Sequence, residues 1–155
     1  VETGSRVRFP AVLKPRSGAG SREVNIVGSQ VEFEQLARGL RAGYLLQAMV
    51  EGPEYSVDCF ASADGELSVC SPRERQVVEH GQCIVGRPVS DPELVDLCRV
   101  LANGLSFRGV VNFQFIRDSA GPWLIDVNPR FPGGISLTEA VGFGFCDRAI
   151  QNLSV

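Results

Sequence analysis

Ile125-Asp126-Val127-Asn128-Pro129-Arg130-Phe131 is the stretch on which the fold turns. Apolar and polar residues alternate over its first four positions, the period of a strand with one buried face. Asp126, Asn128 and Arg130 project to one side, Ile125 and Val127 to the other. Working outward, Val110 to Arg117 and Pro122 to Val127 are strongly β segments around Asp118-Ser119-Ala120-Gly121, so the stretch is the return arm of a hairpin. The register decides whether Gln114 faces Asp126. A four-residue loop pairs Gln114 with Ile125 and turns the amide away. A three-residue loop, Ser119-Ala120-Gly121 with Gly121 left-handed as in a G1 bulge, pairs Asp118 with Pro122, Gln114 with Asp126 and Asn112 with Asn128. The second register is preferred because it leaves Phe113, Phe115, Ile125 and Val127 as a uniformly apolar opposite face.

That register gathers carboxylate and amide oxygens on one sheet face. Oxygen donors without His or Cys suit a hard cation such as Mg²⁺, which takes few protein ligands and completes its shell with phosphate and water. Arg130 adds an anion contact that a simple structural ion site would not need. A solvated polar face on an antiparallel sheet carries the same pattern. Pro129 after Asn128 and the pair Gly133-Gly134 beyond favour an ordered site.

The whole chain bounds the answer. Its 155 residues amount to one domain with a sizeable core. Hydrophobic residues at 44% and charged residues at 21% describe an ordinary globular protein, and a net charge of −3 carries no basic footprint for nucleic acid or anionic membrane. No apolar run reaches the roughly 18–20 residues of a membrane span, and Val1-Glu2-Thr3-Gly4-Ser5-Arg6 does not read as a signal peptide. Cys59, Cys70, Cys83, Cys98 and Cys146 are odd in number and widely spaced, which reads as reduced core thiols of a cytoplasmic protein without a functional part. Of the 15 basic residues one alone is lysine, Lys14, against a background of arginine; His80 is the single histidine.

Lys14 ends the short strand Ala11-Val12-Leu13-Lys14, because Pro15 holds it extended and removes a ladder donor. The glycine-rich turn Arg16 to Glu23 and a second strand, Val24 to Val27, complete a hairpin. Ser29 and Glu32 form a capping box ahead of Val31, Phe33, Leu36, Ala37 and Leu40, which predicts a helix of about three turns. Strands follow at Tyr44 to Val50, Tyr55 to Ala61 and Leu67 to Cys70, and Ser71 to Arg87 reads as two strands turning near Gly81. Ser90 with Glu93 predicts a second capped helix, stopping near Gly104, and Ser136 with Glu139 a last one. The pattern is α+β.

The loop Ser17-Gly18-Ala19-Gly20-Ser21 beside Lys14 can turn backbone N–H groups toward a polyphosphate, with the lysine as a mobile point charge. It is neither a Walker A loop nor G-x-G-x-x-G. A mobile surface turn has the same composition.

Pro10-Ala11-Val12-Leu13-Lys14-Pro15 with Ser17 to Ser21, then Glu51-Gly52-Pro53-Glu54-Tyr55-Ser56-Val57-Asp58, then Ile125 to Phe131, resemble successive motifs of the ATP-grasp superfamily, in order and spacing, from about Phe9 to Gly142. The group similar to the carbamoyl-phosphate synthase large subunit, in its C-terminal ATP-grasp domain, is the nearest in pattern. The resemblance implies an ATP-grasp fold: a partial lid subdomain over 1–50 and a larger antiparallel-sheet subdomain over 51–155 for metal and phosphate, with the nucleotide between them. It implies that Lys14 reaches the phosphates and adenine, that Ser17, Gly18, Ala19, Gly20 and Ser21 close over the phosphates, and that Gln47, Met49 and Val50 belong to the hinge beside adenine. Glu54 matches the acid on the ribose hydroxyls. Gln114, Asp126 and Asn128 match the Mg²⁺ ligands, Arg130 the arginine at the transferred phosphoryl group, and Arg73 and Arg75 basic residues near the γ-phosphate.

Two positions depart from the pattern. Asp126 stands where members commonly have a Glu that bridges two metals, and Gln47 where many have Glu. The family's preceding N-terminal domain is expected to be missing, which makes the chain a fragment. The implied function is an ATP-dependent carboxylate–amine or similar ligase that binds ATP with one or two Mg²⁺ (Mn²⁺ able to substitute) and forms an acyl phosphate. Its partners are then ATP, a carboxylate and an amine or other nucleophilic acceptor, with neither nucleic acid nor membrane, in a bacterial cytoplasmic protein open to homo-oligomerisation. The alternatives are a non-catalytic nucleotide-binding module, a bicarbonate-phosphorylating domain, and a plain α+β interaction domain.

Overall fold

The computed structural model describes residues 7–18, 20–40 and 42–152. The chain forms two compact units, Val1–Val50 and Glu51–Val155.

The first unit is a three-stranded antiparallel sheet with one helix. Strands β1 (Ala11–Pro15), β2 (Asn25–Val27) and β3 (Tyr44–Ala48) lie in the order β2-β1-β3, and helix α1 (Gln30–Ala37) follows β2. Ala11 and Leu13 point inward, and Leu13 packs with Val27 and Phe33 in a small core completed by Phe9, Leu40, Tyr44 and Leu46. The Ser29 hydroxyl accepts the Glu32 N–H at 3.3 Å, while the Glu32 carboxylate accepts the Gly28 N–H at 2.7 Å. The cap is where the sequence places it, but α1 is only eight residues long. It stops early because Gly39 and Leu40 turn their N–H groups onto Leu36 and Ala37, tightening the chain.

The second unit holds a five-stranded antiparallel sheet. It comprises β4 (Glu54–Ala61), β5 (Leu67–Glu79), β6 (Gln82–Pro88), β7 (Gly109–Asp118) and β8 (Gly121–Asn128), in the order β6-β5-β4-β7-β8. The β5–β6 turn is made by His80 and Gly81, both at positive φ (50° and 76°), the geometry of a two-residue hairpin whose twist matches its strands. Helix α2 (Pro92–Leu105) lays Leu94, Cys98 and Ala102 on one sheet face, against Val57, Cys59, Val111, Phe113 and Phe115. Its cap is the Asp91 carboxylate, which accepts the Leu94 N–H at 3.1 Å, not Ser90. Asp91 and Glu93 both bind Arg117 at 2.6 Å.

On the opposite face the sheet is divided. At one end Phe60 and Val69 pack under Phe145 of α4 (Phe145–Asn152), a helix that the sequence patterns do not announce. It follows α3 (Ile135–Ala140), which has no side-chain cap; Glu139 accepts the Cys146 N–H at 3.1 Å and ties the two helices together. The rest of that face is mostly polar, with Ile116 and Trp123 on it toward the β7–β8 turn.

The β7–β8 hairpin contains both registers weighed from the sequence. Its outer rungs pair Asp118 with Gly121, Arg117 with Pro122, Ile116 with Trp123 and Phe115 with Leu124; its inner rungs pair Gln114 with Asp126, Phe113 with Val127 and Asn112 with Asn128. Gly121 does have positive φ (129°), but it pairs with Asp118 across a two-residue turn, so the extra residue is a bulge at Ile125 and not part of a three-residue loop. Leu124, not Ile125, packs on the apolar core with Val127.

Candidate functional site

The polar face of the second unit is built by strand alternation. Glu54, Ser56 and Asp58 of β4 share it with Arg73 and Arg75 of β5, with Asn112 and Gln114 of β7, and with Asp126 and Asn128 of β8; the pairings Ser56↔Arg73, Ser56↔Gln114 and Asp58↔Asn112 set the rows. At its centre Asp58 is wholly buried. One carboxylate oxygen accepts from Arg73 and from the Thr138 hydroxyl at 2.6 Å, and the other accepts the Asn112 amide at 2.8 Å. Arg73 also donates to Thr138 Oγ1 at 3.2 Å. Gly134 passes directly over this guanidinium: a Cβ there would lie 2.9 Å from Arg73 Nη2. A buried ion pair costs desolvation, and here three hydrogen bonds with two neighbours, Asn112 and Thr138, offset it. The network docks α3, and with it the loop that follows β8, onto the sheet.

Arg75 is the second buried arginine. It donates to Gln114 Oε1 at 2.7 Å and to the Gly81 carbonyl at 2.9 Å, and lies 3.4 Å from the Glu54 carboxylate. The Nε atoms of Arg73 and Arg75 are buried and lack a hydrogen-bond partner. Toward the β8 edge the face opens: Asp126 and Arg130 are exposed and Asn128 half-buried. Asn128 Nδ2 donates to Asp126 at 2.9 Å, Arg130 donates to Asn128 Oδ1 at 3.3 Å, and Gln114 Nε2 donates to Asn112 at 3.3 Å. Arg130 is turned back over β8 by its own N–H, which bonds the Asn128 carbonyl at 2.9 Å.

In the first unit Lys14 pairs with Leu45, and Val12 with Gln47, so Lys14 and Gln47 are diagonal neighbours on the sheet face away from Phe33. Ile26 and Leu45, exposed by 61% and 40%, make the same face apolar. Met49 and Val50 follow β3, with the Met49 N–H on the Pro10 carbonyl at 3.1 Å. Ser17, Gly18, Gly20 and Ser21 form an exposed turn in which Gly20 and Ser21 have positive φ; Ala19 lies outside the described residues.

Residues 41–154 match the model of a family described as ATP-grasp in the biosynthetic pathway with Ter operon. The chain belongs to this ATP-grasp family. Its fold is shared with solved ATP-grasp structures at low identity. One is the biotin carboxylase domain of 2-oxoglutarate carboxylase from Hydrogenobacter thermophilus, in complex with MgADP, ADP and bicarbonate (TM-score 0.78, 20% identity, 96% of this chain and 37% of that one). Another is biotin carboxylase from Campylobacter jejuni in a β-γ-ATP complex (0.74, 16%, 94% and 37%). A third is L-amino acid ligase from Bacillus licheniformis (0.65, 21%, 96% and 39%). The chain thus spans little more than a third of the length of these structures. The α+β ATP-grasp fold read from the sequence is the one observed, and no helix among the described residues is long and apolar enough to cross a membrane.

The sequence motifs leave out Thr138, name Gly134 only as part of the Gly133-Gly134 pair beyond Asn128, and give Asp58 no role. Asp58 was signalled by its alternation with Val57 and Cys59. Thr138 was not, because it reaches Asp58 across 80 residues of sequence.

Proposed function

We propose that the chain binds Mg-ATP as part of an ATP-dependent carboxylate–amine ligase. The observation that carries this reading is the β7–β8 edge, where Gln114, Asp126 and Asn128 present oxygen atoms side by side with Arg130 at their rim. The donor chemistry fits Mg²⁺. One carboxylate and two amides make a weak site by themselves, in keeping with the absence, among the described residues, of any metal-binding group of three or more His, Cys, Asp or Glu side chains. Such a set holds Mg²⁺ when nucleotide phosphates supply the remaining oxygens. Bound there, the ion would counter charge on the phosphates during transfer of the γ-phosphoryl group.

The chain's own residues divide the remaining work. Lys14 supplies a point charge for the phosphates, and the turn Ser17 to Ser21, with Ala19 in it, supplies N–H groups. The apolar face around Leu45 with Met49 and Val50 receives the base, with Gln47 at its edge, and Glu54 takes the ribose hydroxyls. Arg130 approaches the transferred group and, later, the acyl phosphate formed on the carboxylate substrate, from which an amine displaces phosphate. Arg73 and Arg75, buried and engaged, act as positioning residues: Arg75 aims Gln114, and Arg73 holds the α3 anchor. Positioning and electrostatics suffice for this chemistry.

A second reading, a module that binds nucleotide without turning it over, is favoured by the amide oxygens of Gln114 and Asn128, which already accept from the guanidinium groups of Arg75 and Arg130, positive charges that oppose a second cation there. Calorimetric titration with ADP, with and without Mg²⁺, tests the shared core of both readings. Lys14→Ala should weaken Mg-ADP binding about tenfold or more, roughly 1.4 kcal/mol, and Asp126→Ala should abolish the advantage of Mg²⁺. Unchanged binding in both variants would sink the assignment. Phosphate release from Mg-ATP that appears only with an added carboxylate and amine separates ligase from module.

A further inference from the structure

Beneath Asp58 and Ser71, on the α2 side of the sheet, lie two thiols. Cys59 of β4 and Cys70 of β5 are direct cross-strand partners with their sulfurs 3.3 Å apart, and the Cys59 S–H donates to Cys70. Cys59 is fully buried, with Cys98 of α2 also buried in the same core. Cys70 is half-buried and reaches the wall of an open groove of about 460 Å³, shared with Pro72, Val95, Asp96, Arg99 and Phe143. Cys70 is therefore the residue of the pair that borders the groove, and the Cys59 sulfur lies behind it at contact distance.

We propose that Cys70 and Cys59 form an oxidation site for peroxides, in which Cys70 is attacked through the groove and Cys59 resolves the product into a cross-strand disulfide. The Cys70 thiolate attacks one peroxide oxygen; the O–O bond breaks, Cys70 becomes a sulfenic acid and hydroxide leaves to take up a proton. The Cys59 sulfur then attacks the Cys70 sulfur, the S–O bond breaks, and water departs with the thiol proton. The sum is two thiols and one hydrogen peroxide giving one disulfide and two waters.

The environment sets this order of events. The Cys59 S–H bond holds the Cys70 thiol below its ordinary value, against burial and with help from the Arg99 charge. Burial, with the neighbouring thiols, pushes Cys59 well up, which suits a resolving thiol and not an attacking one. Directly opposed antiparallel residues have Cα atoms about 4.5–5.5 Å apart, inside the range of roughly 4.4–6.8 Å that disulfides span. The sulfurs need only close from 3.3 Å to about 2.05 Å. Because Cys59 adjoins Asp58 in sequence and Cys70 adjoins Ser71, the crosslink would form on the two strands that carry the Asp58–Arg73 anchor.

The test is thiol mapping on the intact reduced chain. After treatment with equimolar hydrogen peroxide, free thiols are alkylated and peptides identified by mass spectrometry. The expected result is a linked Cys59–Cys70 peptide in the wild type and in Cys98→Ser, with none in Cys70→Ser, whose Cys59 stays alkylatable. The rate of disulfide formation should rise with pH to a midpoint below that of a free cysteine in the unfolded chain. A Cys59–Cys98 link in the wild type, Cys70 accumulating as sulfinic acid beside a free Cys59, or oxidation confined to Cys146 would overturn the proposal. The wild-type map decides without reliance on any variant's folding.

Discussion

Replacing Thr138 with valine removes one hydroxyl and almost nothing else. The side chain is 2% exposed, and the hydroxyl both donates to Asp58 at 2.6 Å and accepts from Arg73 at 3.2 Å. Valine fills the same volume, so the cost is that of a lost hydrogen bond to a charged group, about 2 kcal/mol within a range of roughly 1.5–3. That is on the order of a thirtyfold shift in the folding equilibrium and, at about 4 °C per kcal/mol, a melting temperature lower by about 8 °C. Thr138→Ser keeps the hydroxyl and deletes one buried methyl, costing about 1 kcal/mol. Thermal melts of the three proteins should rank wild type above serine above valine, and amide exchange should speed up over 135–140 in the valine variant. Valine matching or exceeding serine in stability would refute the view that the Asp58 network, and not the methyl packing, holds α3 to the sheet.

Two further expectations come from turns. Gly52 sits at φ 156° with its backbone against β7, where an added Cβ would lie 2.0 Å from the Arg117 carbonyl oxygen; Gly52→Ala should destabilise by about 3 kcal/mol in chemical denaturation, and a cost below about 1 would contradict that approach. Asp118 is held below the usual carboxylate range by the Trp123 indole N–H and, next, by the Ala120 N–H at 2.8 Å. Its folded value is lowered, so its contribution to stability is present above the unfolded value of about 3.9 and lost as pH falls through the folded one. Fluorescence of Trp123, the single tryptophan, should report that titration below pH 4 and lose it in Asp118→Ala.

What could be read from the chain was local. Ser29 caps α1 as its spacing with Glu32 requires, and the inner rungs of the last hairpin join Gln114 to Asp126, whereas the first strand runs one residue past Lys14 to include Pro15, which pairs with Tyr44. Alternation tells which residues share a face but not whether the face is covered. Arg73 and Arg75 therefore looked like free cations near a phosphate, whereas α3 and the His80-Gly81 turn fold over them and bury both. The cap of α2 falls one residue past Ser90, on Asp91, where one carboxylate oxygen accepts the Leu94 N–H and the other accepts from Arg117. The cysteines read as inert by spacing, since Cys59 and Cys70 are eleven residues apart in sequence and meet only through the β4–β5 register.

The bulge at Ile125 makes the last hairpin a clutch between two rigid parts. Its outer rungs, from Asp118–Gly121 to Phe115–Leu124, follow the register set by the turn, and its inner rungs, from Gln114–Asp126 onward, follow the register that gathers the oxygens. A residue gained at Ser119-Ala120 can be absorbed by removing the bulge, which brings Ile125 opposite Phe115 in place of Leu124 while Asp126 and Asn128 keep their places. Variation in the turn is thereby decoupled from the ligand geometry, and the tip of this hairpin is free to diverge in length while its base keeps one chemistry.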